Sequence, residues 1–207
     1  MLNTEFLNEI KRLKAIADTG LLYTKNEYDK ERYLELQQIS FNLLSKFSGV
    51  SSEDLKFMLP SAIDYPTAKV DIRGLAISDE NKILLVKESV DGKWSLPGGW
   101  GDIGYSPKET IIKEFKEETG LDIIAERLLA VFDKKMHPHP PQPFYVYKMV
   151  FYCKLISHEI VKGFDVSDVQ YFNIENLPAL SEDRILKSQV ELLYNKVLSA
   201  DKDVYVD

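Results

Sequence analysis

The chain has a single cysteine, Cys153, so an internal disulfide is excluded. That residue sits in an apolar, strand-like run and is expected to be a small buried hydrophobe. Histidine is scarce as well, with three in the whole sequence. His137 and His139 share a proline-rich stretch, but His158 is the only other histidine and no cysteine lies near, so that pair is poor company for a metal ion. Positive charge is in deficit: 26 Lys and Arg stand against 33 Asp and Glu, a net charge of -7. No basic footprint for duplex nucleic acid is therefore expected, although a short oligonucleotide held through metal ions stays open. No apolar run is long enough to span a bilayer and no signal peptide is visible, which leaves a cytoplasmic location as the default expectation. Internal repeats and low-complexity segments are also missing. Hydrophobic residues make up 44% of 207 positions, enough for a real core in one large or two small domains.

What the chain does contain is concentrated between Leu96 and Leu121, LPGGWGDIGYSPKETIIKEFKEETGL. Ser106 is a good N-cap, Pro107 suits the first helical position, and Gly120 stands where a left-handed residue ends a helix. Ile111, Ile112 and Phe115 form an apolar face at helical spacing. Glu114, Glu117 and Glu118 project from a shared face, because residues three and four apart are neighbours on a helix. Carboxylates so crowded repel one another unless a cation neutralises them. Hard dications take oxygen ligands and bridge carboxylates to phosphates. Gly98 and Gly99 allow the backbone to bend closely around a ligand, and a carbonyl there can join the ligand set. A Glu- and Lys-rich helix is more often a solvated face, but the double glycine, capped start, acidic face and terminal glycine together point to a metal-bound phosphate compound.

These residues resemble the signature of the Nudix hydrolases, G-x5-E-x7-R-E-U-x-E-E-x-G-U, with U a bulky aliphatic residue. With Gly99 as the first glycine, Glu114, Glu117, Glu118, Gly120 and Leu121 fall on matching positions, and Phe115 takes the first U. Two positions depart: Tyr105 stands for the first glutamate and Lys113 for the arginine, a pair that in the family braces loop and helix. A Tyr–Lys contact cannot reproduce a guanidinium–carboxylate fork. The resemblance implies that Glu117 and Glu118, with the Gly98 carbonyl, bind Mg2+ or Mn2+. Glu114 is then a further ligand, or orients or deprotonates the attacking water. The implied reaction is hydrolysis of a nucleoside diphosphate linked to a moiety X. The implied fold is α/β, an α/β/α sandwich with a mixed sheet.

The segment before residue 60 is helical in pattern. Phe6, Ile10, Leu13 and Ala17 make one stripe. A second helix is expected from a Thr24–Glu27 capping box, with Leu36, Ile39, Leu43 and Phe47 as its stripe. Ser51 or Ser52 can cap a third helix through Met58. Short helices like these bury too little alone and need the catalytic domain or a second subunit. Pro60, Asp64, Tyr65 and Pro66 read as a hinge between domains at 1–60 and 67–207. Thereafter 69–74 alternates as a strand with one polar face, and 83–86, 128–132, 145–155 and 169–174 read as strands before a final helix over 181–198. The N-terminal helices, HPHPP at 137–141 and LPALS at 177–181 make the whole chain similar to a Nudix subgroup with a small all-helical N-terminal domain. That subgroup includes ADP-ribose and CDP-choline pyrophosphatases and implies a homodimer.

Further candidates each carry an alternative. Arg73 is suited to grip a diphosphate or to pair with Asp71 on the same face. Lys87 is a weaker candidate, otherwise an exposed charge at a strand end. His137 reads as a loop-structural or substrate-contact residue. Phe144 opens a strand on which Tyr145 and Tyr147 share a face, so base stacking or choline enclosure is open against simple packing. Trp94 and Trp100 read as packing residues. Asp165 is favoured over Asp168 as an additional acid or base. Three readings follow: a metal-dependent diphosphatase, a nucleotide sensor without turnover, and an RNA 3′-end processing enzyme.

Overall fold

In the computed structural model the described residues are 2–60, 65–199 and 201–207, so Asp64 of the expected hinge lies outside them. The chain divides into two units, Met1–Ala68 with Pro141–Tyr145, and Lys69–Pro140 with Val146–Asp207. The first holds α1 (Leu2–Tyr23), α2 (Glu27–Ser48) and α3 (Ser52–Met58). The N-cap of α2 is Asn26, not Thr24: the Asn26 carboxamide oxygen accepts from Tyr28 N at 2.9 Å and Asp29 N at 3.4 Å. Asparagine directly before the helix reaches the free amides that Thr24, two residues earlier, cannot. Ser51 caps α3.

The core of this unit is Leu7, Ile10, Phe41, Leu44 and Leu55. The expected stripes are corrected here. Ile10 and Ala17 are buried, but Phe6 and Leu13 are 45% and 41% exposed. On α2 the buried face is Gln37, Ser40, Phe41 and Leu44, while Leu36, Ile39 and Phe47 face outward. Asp18 makes the polar face tenable inside, accepting from Lys14 Nζ and Gln37 Nε2, each at 2.6 Å. The Pro141–Tyr145 segment lies on α1: the Tyr145 hydroxyl donates to Asn8 O at 2.8 Å and Lys11 Nζ stands 4.5 Å from the Tyr145 ring centre.

The second unit holds β1 (Lys69–Leu75), β2 (Ile83–Glu88), β3 (Trp94–Ser95), β4 (Gly98–Trp100), α4 (Pro107–Thr119), β5 (Ile123–Asp133), β6 (Val146–Leu155), β7 (Val166–Phe172), α5 (Lys187–Leu198) and β8 (Tyr205–Val206). A mixed five-stranded sheet runs β4-β1-β6-β5-β8, with β1–β6 and β5–β8 parallel. A three-stranded antiparallel sheet runs β3-β2-β7. Ile111 and Phe115 of α4 pack with Ile72, Leu84, Val86 and Phe151. Val190 and Leu193 of α5 pack with Leu75, Leu85, Leu129 and Val150. This is the expected α/β architecture with a mixed sheet after a helical N-terminal region. Cys153 is buried. Among the described residues no helix is long and apolar enough to cross a membrane.

Two strand-level expectations change. On the polar side of β1 Lys69 is exposed but Asp71 and Arg73 are only 5% and 6% exposed. Lys148 on β6 stands opposite Asp71 in the parallel register and donates to it, so the charges are neutralised in place. The last helix starts at Lys187, because Ser181 O accepts from Arg184 N and Ile185 N and closes a turn instead.

Candidate active site

The Gly98–Trp100 strand is antiparallel to β1, with Gly98 opposite Arg73. Gly98 has a φ of 139°, and a Cβ there would stand 2.1 Å from Ile72 O. Only glycine fits that approach. A Cβ on Gly99 would meet Glu114 Oε1 at 2.8 Å, so the double glycine also admits α4 to the turn. The helix starts with a reciprocal capping box, Ser106 Oγ accepting from Glu109 N and Ser106 N donating to Glu109 Oε2. It ends at Gly120, with a φ of 73°. Two amides of the loop between β6 and β7 also reach its last turn: Val161 N donates to Thr119 O at 2.9 Å and Gly163 N to Glu118 O at 3.0 Å. That approach excludes a side chain at Gly163, whose Cβ would stand 2.0 Å from Glu117 O.

Glu118 is 4% exposed, and its Oε2 accepts from Gly98 N at 2.9 Å. Burial pushes its pKa up to about 8, helped by Glu88 and Glu114 and opposed by Arg73 and the Gly98 amide. Burial likewise raises the pKa of half-buried Glu114, with Asp165 adding to the effect. Glu117 is exposed and lies 3.4 Å from Lys113 Nζ. Asp165, also exposed, directly precedes β7 and is close enough to raise the pKa of both Glu88 and Glu114. The structure therefore gathers Gly98, Glu114, Glu118 and Asp165, and adds Glu88, which the sequence reading missed.

Lys113 has a specific setting. Its ammonium lies 3.5 Å from Asp102 Oδ2 as well as near Glu117, and 5.6 Å from the centre of the Tyr105 ring. The two departures from the signature thus meet, as a cation over an aromatic face, and Asp102 supplies a carboxylate in the same loop.

Other candidates are placed differently from expectation. Arg73 is inside the unit: Nε donates to Asp71 Oδ1 at 2.9 Å, and Nη1 donates to Leu96 O at 3.1 Å and to Ser95 Oγ at 3.4 Å. Of its two alternatives the structure shows the pairing with Asp71. His137 Nε2 stands 2.9 Å from Asp207 Oδ2 and its ring meets the edge of Phe132, a tie to the C-terminal strand rather than to the carboxylates. Phe144 and Tyr145 precede β6 and are held by α1, so Tyr145 does not share a strand face with Tyr147. Lys87 is a half-buried residue of β2 whose carbonyl accepts from Ser167 Oγ. Trp94 packs edge-on against Phe172, whereas Trp100 is 47% exposed with Lys69 over its ring.

The missed residues are charges inside the core. Glu88 closes the apolar run of β2 and is 8% exposed; its Oε1 is 2.9 Å from Arg184 Nε and 3.7 Å from Arg73 Nη1, without the alignment of a hydrogen bond to either. Burial raises its pKa in spite of both cations. Lys148 is fully buried, a lysine in the middle of the apolar run of β6. Its pKa is lowered by burial, while Arg73 and Lys148 hold the Asp71 pKa below the usual range against the effect of burial. A lone charge in an apolar strand was the available signal for Glu88 and Lys148, since such groups persist only when paired.

A glycine turn delivers an amide to a buried helical glutamate, and further carboxylates stand around it. Residues 69–193 match the family model described as "NUDIX domain", and residues 4–59 match "UDP-X-like, N-terminal oligomerisation domain". The chain belongs to the Nudix hydrolase family and is a pyrophosphatase. It is 40% identical over 204 residues to the Bacillus subtilis (strain 168) protein named "Putative ADP-ribose pyrophosphatase YjhB", covering 99% of this chain and 98% of that one. A crystal structure of a UDP-X diphosphatase is similar at 40% identity and a TM-score of 0.64, with 99% of both chains covered. An ADP-ribose pyrophosphatase from Streptococcus suis 89-1591 is 35% identical with a TM-score of 0.61, covering 68% of this chain and 100% of that one.

The family is typically dependent on divalent metal, and the donor set fits one. Glu118 is ionised at neutral pH only if a counter-charge beyond Arg73 offsets its burial. The donors are all oxygen, which suits Mg2+ or Mn2+. Among the described residues no three Asp, Glu, His or Cys side chains form a ready-made ion cage. Glu117 is turned to Lys113.

Proposed function

We propose that this pyrophosphatase cleaves the diphosphate bond of a nucleoside diphosphate linked to a second moiety, X, giving a nucleoside monophosphate and phospho-X. The observation that carries this reading is Glu118, buried on the Gly98 amide between Arg73 and the carboxylates Glu88 and Glu114. Glu117, Glu118 and the Gly98 carbonyl, with Glu114, are the residues that would hold Mg2+ or Mn2+. When bound, the metal supplies charge neutralisation for the bridging diphosphate and a lowered pKa for water.

The chain's own groups do the rest. Half-buried Glu114, with a raised pKa, is suited to take the proton of the attacking water at a carboxylate oxygen, with exposed Asp165 as the second candidate. The Gly98 amide fixes the Glu118 carboxylate, so its second oxygen is aimed without a search over rotamers. ADP-ribose and UDP-linked compounds lead the substrate list, because similar proteins carry those names. CDP-choline remains a proposal from the subgroup resemblance.

We also propose a homodimer formed through the helical unit. Leu36, Ile39 and Phe47 of α2 and Phe6, Leu13 and Ile16 of α1 are exposed apolar residues within the segment matched as an oligomerisation domain. Contiguous apolar surface of that kind marks an interaction site.

The test is a substrate panel with Mg2+ and with Mn2+: ADP-ribose, UDP-sugars, CDP-choline, dinucleoside polyphosphates and a short RNA, with products separated by chromatography. Release of nucleoside monophosphate from an X-linked diphosphate supports the reading. Binding without product under either metal, or cleavage of RNA alone, overturns it.

A further inference from the structure

We propose that Arg73 is a positioning residue of the diphosphatase rather than a diphosphate ligand: it clamps the glycine turn from which Glu118 is held. Four observations converge on this. Arg73 Nη1 donates to Leu96 O at 3.1 Å, and the next residue, Gly74, donates its amide to Pro97 O at 2.9 Å. The two carbonyls that enter the turn are thus fixed by neighbouring residues of β1. The turn then hands the Gly98 amide to Glu118 Oε2 at 2.9 Å. The guanidinium is itself fixed from behind, since Nε donates to Asp71 Oδ1 at 2.9 Å and Asp71 is held by fully buried Lys148.

Charge supports the same role. Arg73 faces Asp71, Glu88 and Glu118, and their attraction raises its pKa in spite of burial. Lys148 and Arg184 are the other cations on those acids, Lys148 on Asp71 and Arg184 on Glu88. Arg73 is therefore the one of the three that is placed between a backbone carbonyl of the turn and the glutamate the turn supports. Its planar fork presents two separate nitrogens in fixed geometry to Asp71 and Leu96 O, which the single ammonium of a lysine does not.

The kinetic part of this inference rests on the diphosphatase reading; the exchange part does not. Arg73→Lys keeps the buried charge, and Arg73→Gln removes it. A residue that positions the site lowers kcat, whereas a residue that binds substrate equally in ground and transition states raises KM. For Arg73→Lys the expected result is a kcat lower by about tenfold or more with KM within about twofold, and for Arg73→Gln a larger loss of kcat. In the same Arg73→Lys protein, without substrate, the Gly98 amide is expected to exchange its hydrogen about tenfold faster by NMR, because its partner and its turn are both loosened. Thermal melts establish that each variant is folded; if Arg73→Gln is not, Arg73→Lys carries the test. A KM increased about tenfold at unchanged kcat, or a Gly98 amide exchanging as in the parent, overturns the proposal. If the parent protein cleaves no X-linked diphosphate, the proposed function fails, and the Gly98 exchange still decides the role of Arg73.

Discussion

The two units of this chain depart from the oil-drop pattern in different ways. The helical unit leaves apolar residues outside, Leu36, Ile39 and Phe47 among them, while Asp18, Gln37 and Ser40 are buried. The α/β unit buries a set of full charges, Asp71, Arg73, Glu88, Glu118 and Lys148, within an apolar sandwich. Each inversion costs free energy in an isolated molecule: exposed apolar area forgoes about 25 cal/mol per Å2, and a buried charge must be paired to persist. In the proposed homodimer a second copy of the surface would offset the first cost, and counter-charges already in the core offset part of the second. An inverted pattern is informative because ordinary folding does not require it.

Changes to the inner charges should have the largest effects. Glu118→Gln is expected to lower Mn2+-dependent diphosphatase activity by about 10^3-fold or more, as loss of a metal-bound oxygen should. It should also change the pH dependence of stability in the metal-free protein. In the native state Glu118 keeps its proton up to about pH 8, whereas the unfolded chain releases it near 4.5. Its contribution to stability is therefore complete below about pH 4.5 and is lost as the pH rises through about 8. The Gln variant lacks that loss, so its melting temperature should exceed the parent's by a margin that widens from pH 5 to about pH 9 in chelator. A parent and variant that melt in parallel across that range would remove the buried-carboxylate argument.

Lys148→Met tests the same interior without touching the carboxylates of α4. It strands Asp71 beside Arg73 alone, and a loss of about 3 kcal/mol is expected in urea unfolding, as for other buried pairs broken on one side. The outer face comes next. Leu36→Asp with Ile39→Asp should leave the far-UV circular dichroism intact but shift the mass in sedimentation from twice 23.8 kDa to 23.8 kDa. An unchanged mass would place the self-association elsewhere. The smallest effect is expected at the loop brace. Asp102→Asn removes a half-exposed ion pair with Lys113 and should leave the melting temperature nearly unchanged, with a few-fold fall in kcat at most.

The sequence displayed the backbone of the site well and its interior charge poorly. Ser106, Pro107, Gly98, Gly99 and Gly120 act through local conformation, and such residues announce their roles in a string of letters. Glu114, Glu117 and Glu118 were visible for the same reason, since helix periodicity is local. The burial of Asp71 and Arg73 was misjudged because alternating polar residues in a strand normally mark a wet face, and Lys148 was missed. Only the parallel register, which joins positions 71 and 148, reveals that the face is dry. Glu88 and Arg184 meet across an even more remote pairing. The phase of α2 failed for a related reason. Of its expected stripe Leu43 packs against the unit's own core but Leu36, Ile39 and Phe47 are directed away from it, and a hydrophobic pattern does not say which surface will cover them.

The loop that carries Asp165 has near its end a residue with no room for a side chain, Gly163, stapled by its own amide to the carbonyl of Glu118. One residue, Phe164, separates that staple from the acid, too short a tether for Asp165 to wander independently of α4. Lengthening the tether by a residue or two should disengage Asp165 while sparing the helix, whereas a larger residue at 163 should disturb helix and acid together. Insertions and substitutions one step apart in this loop therefore have different consequences, and the spacing between Gly163 and Asp165 is a dimension of the site in its own right.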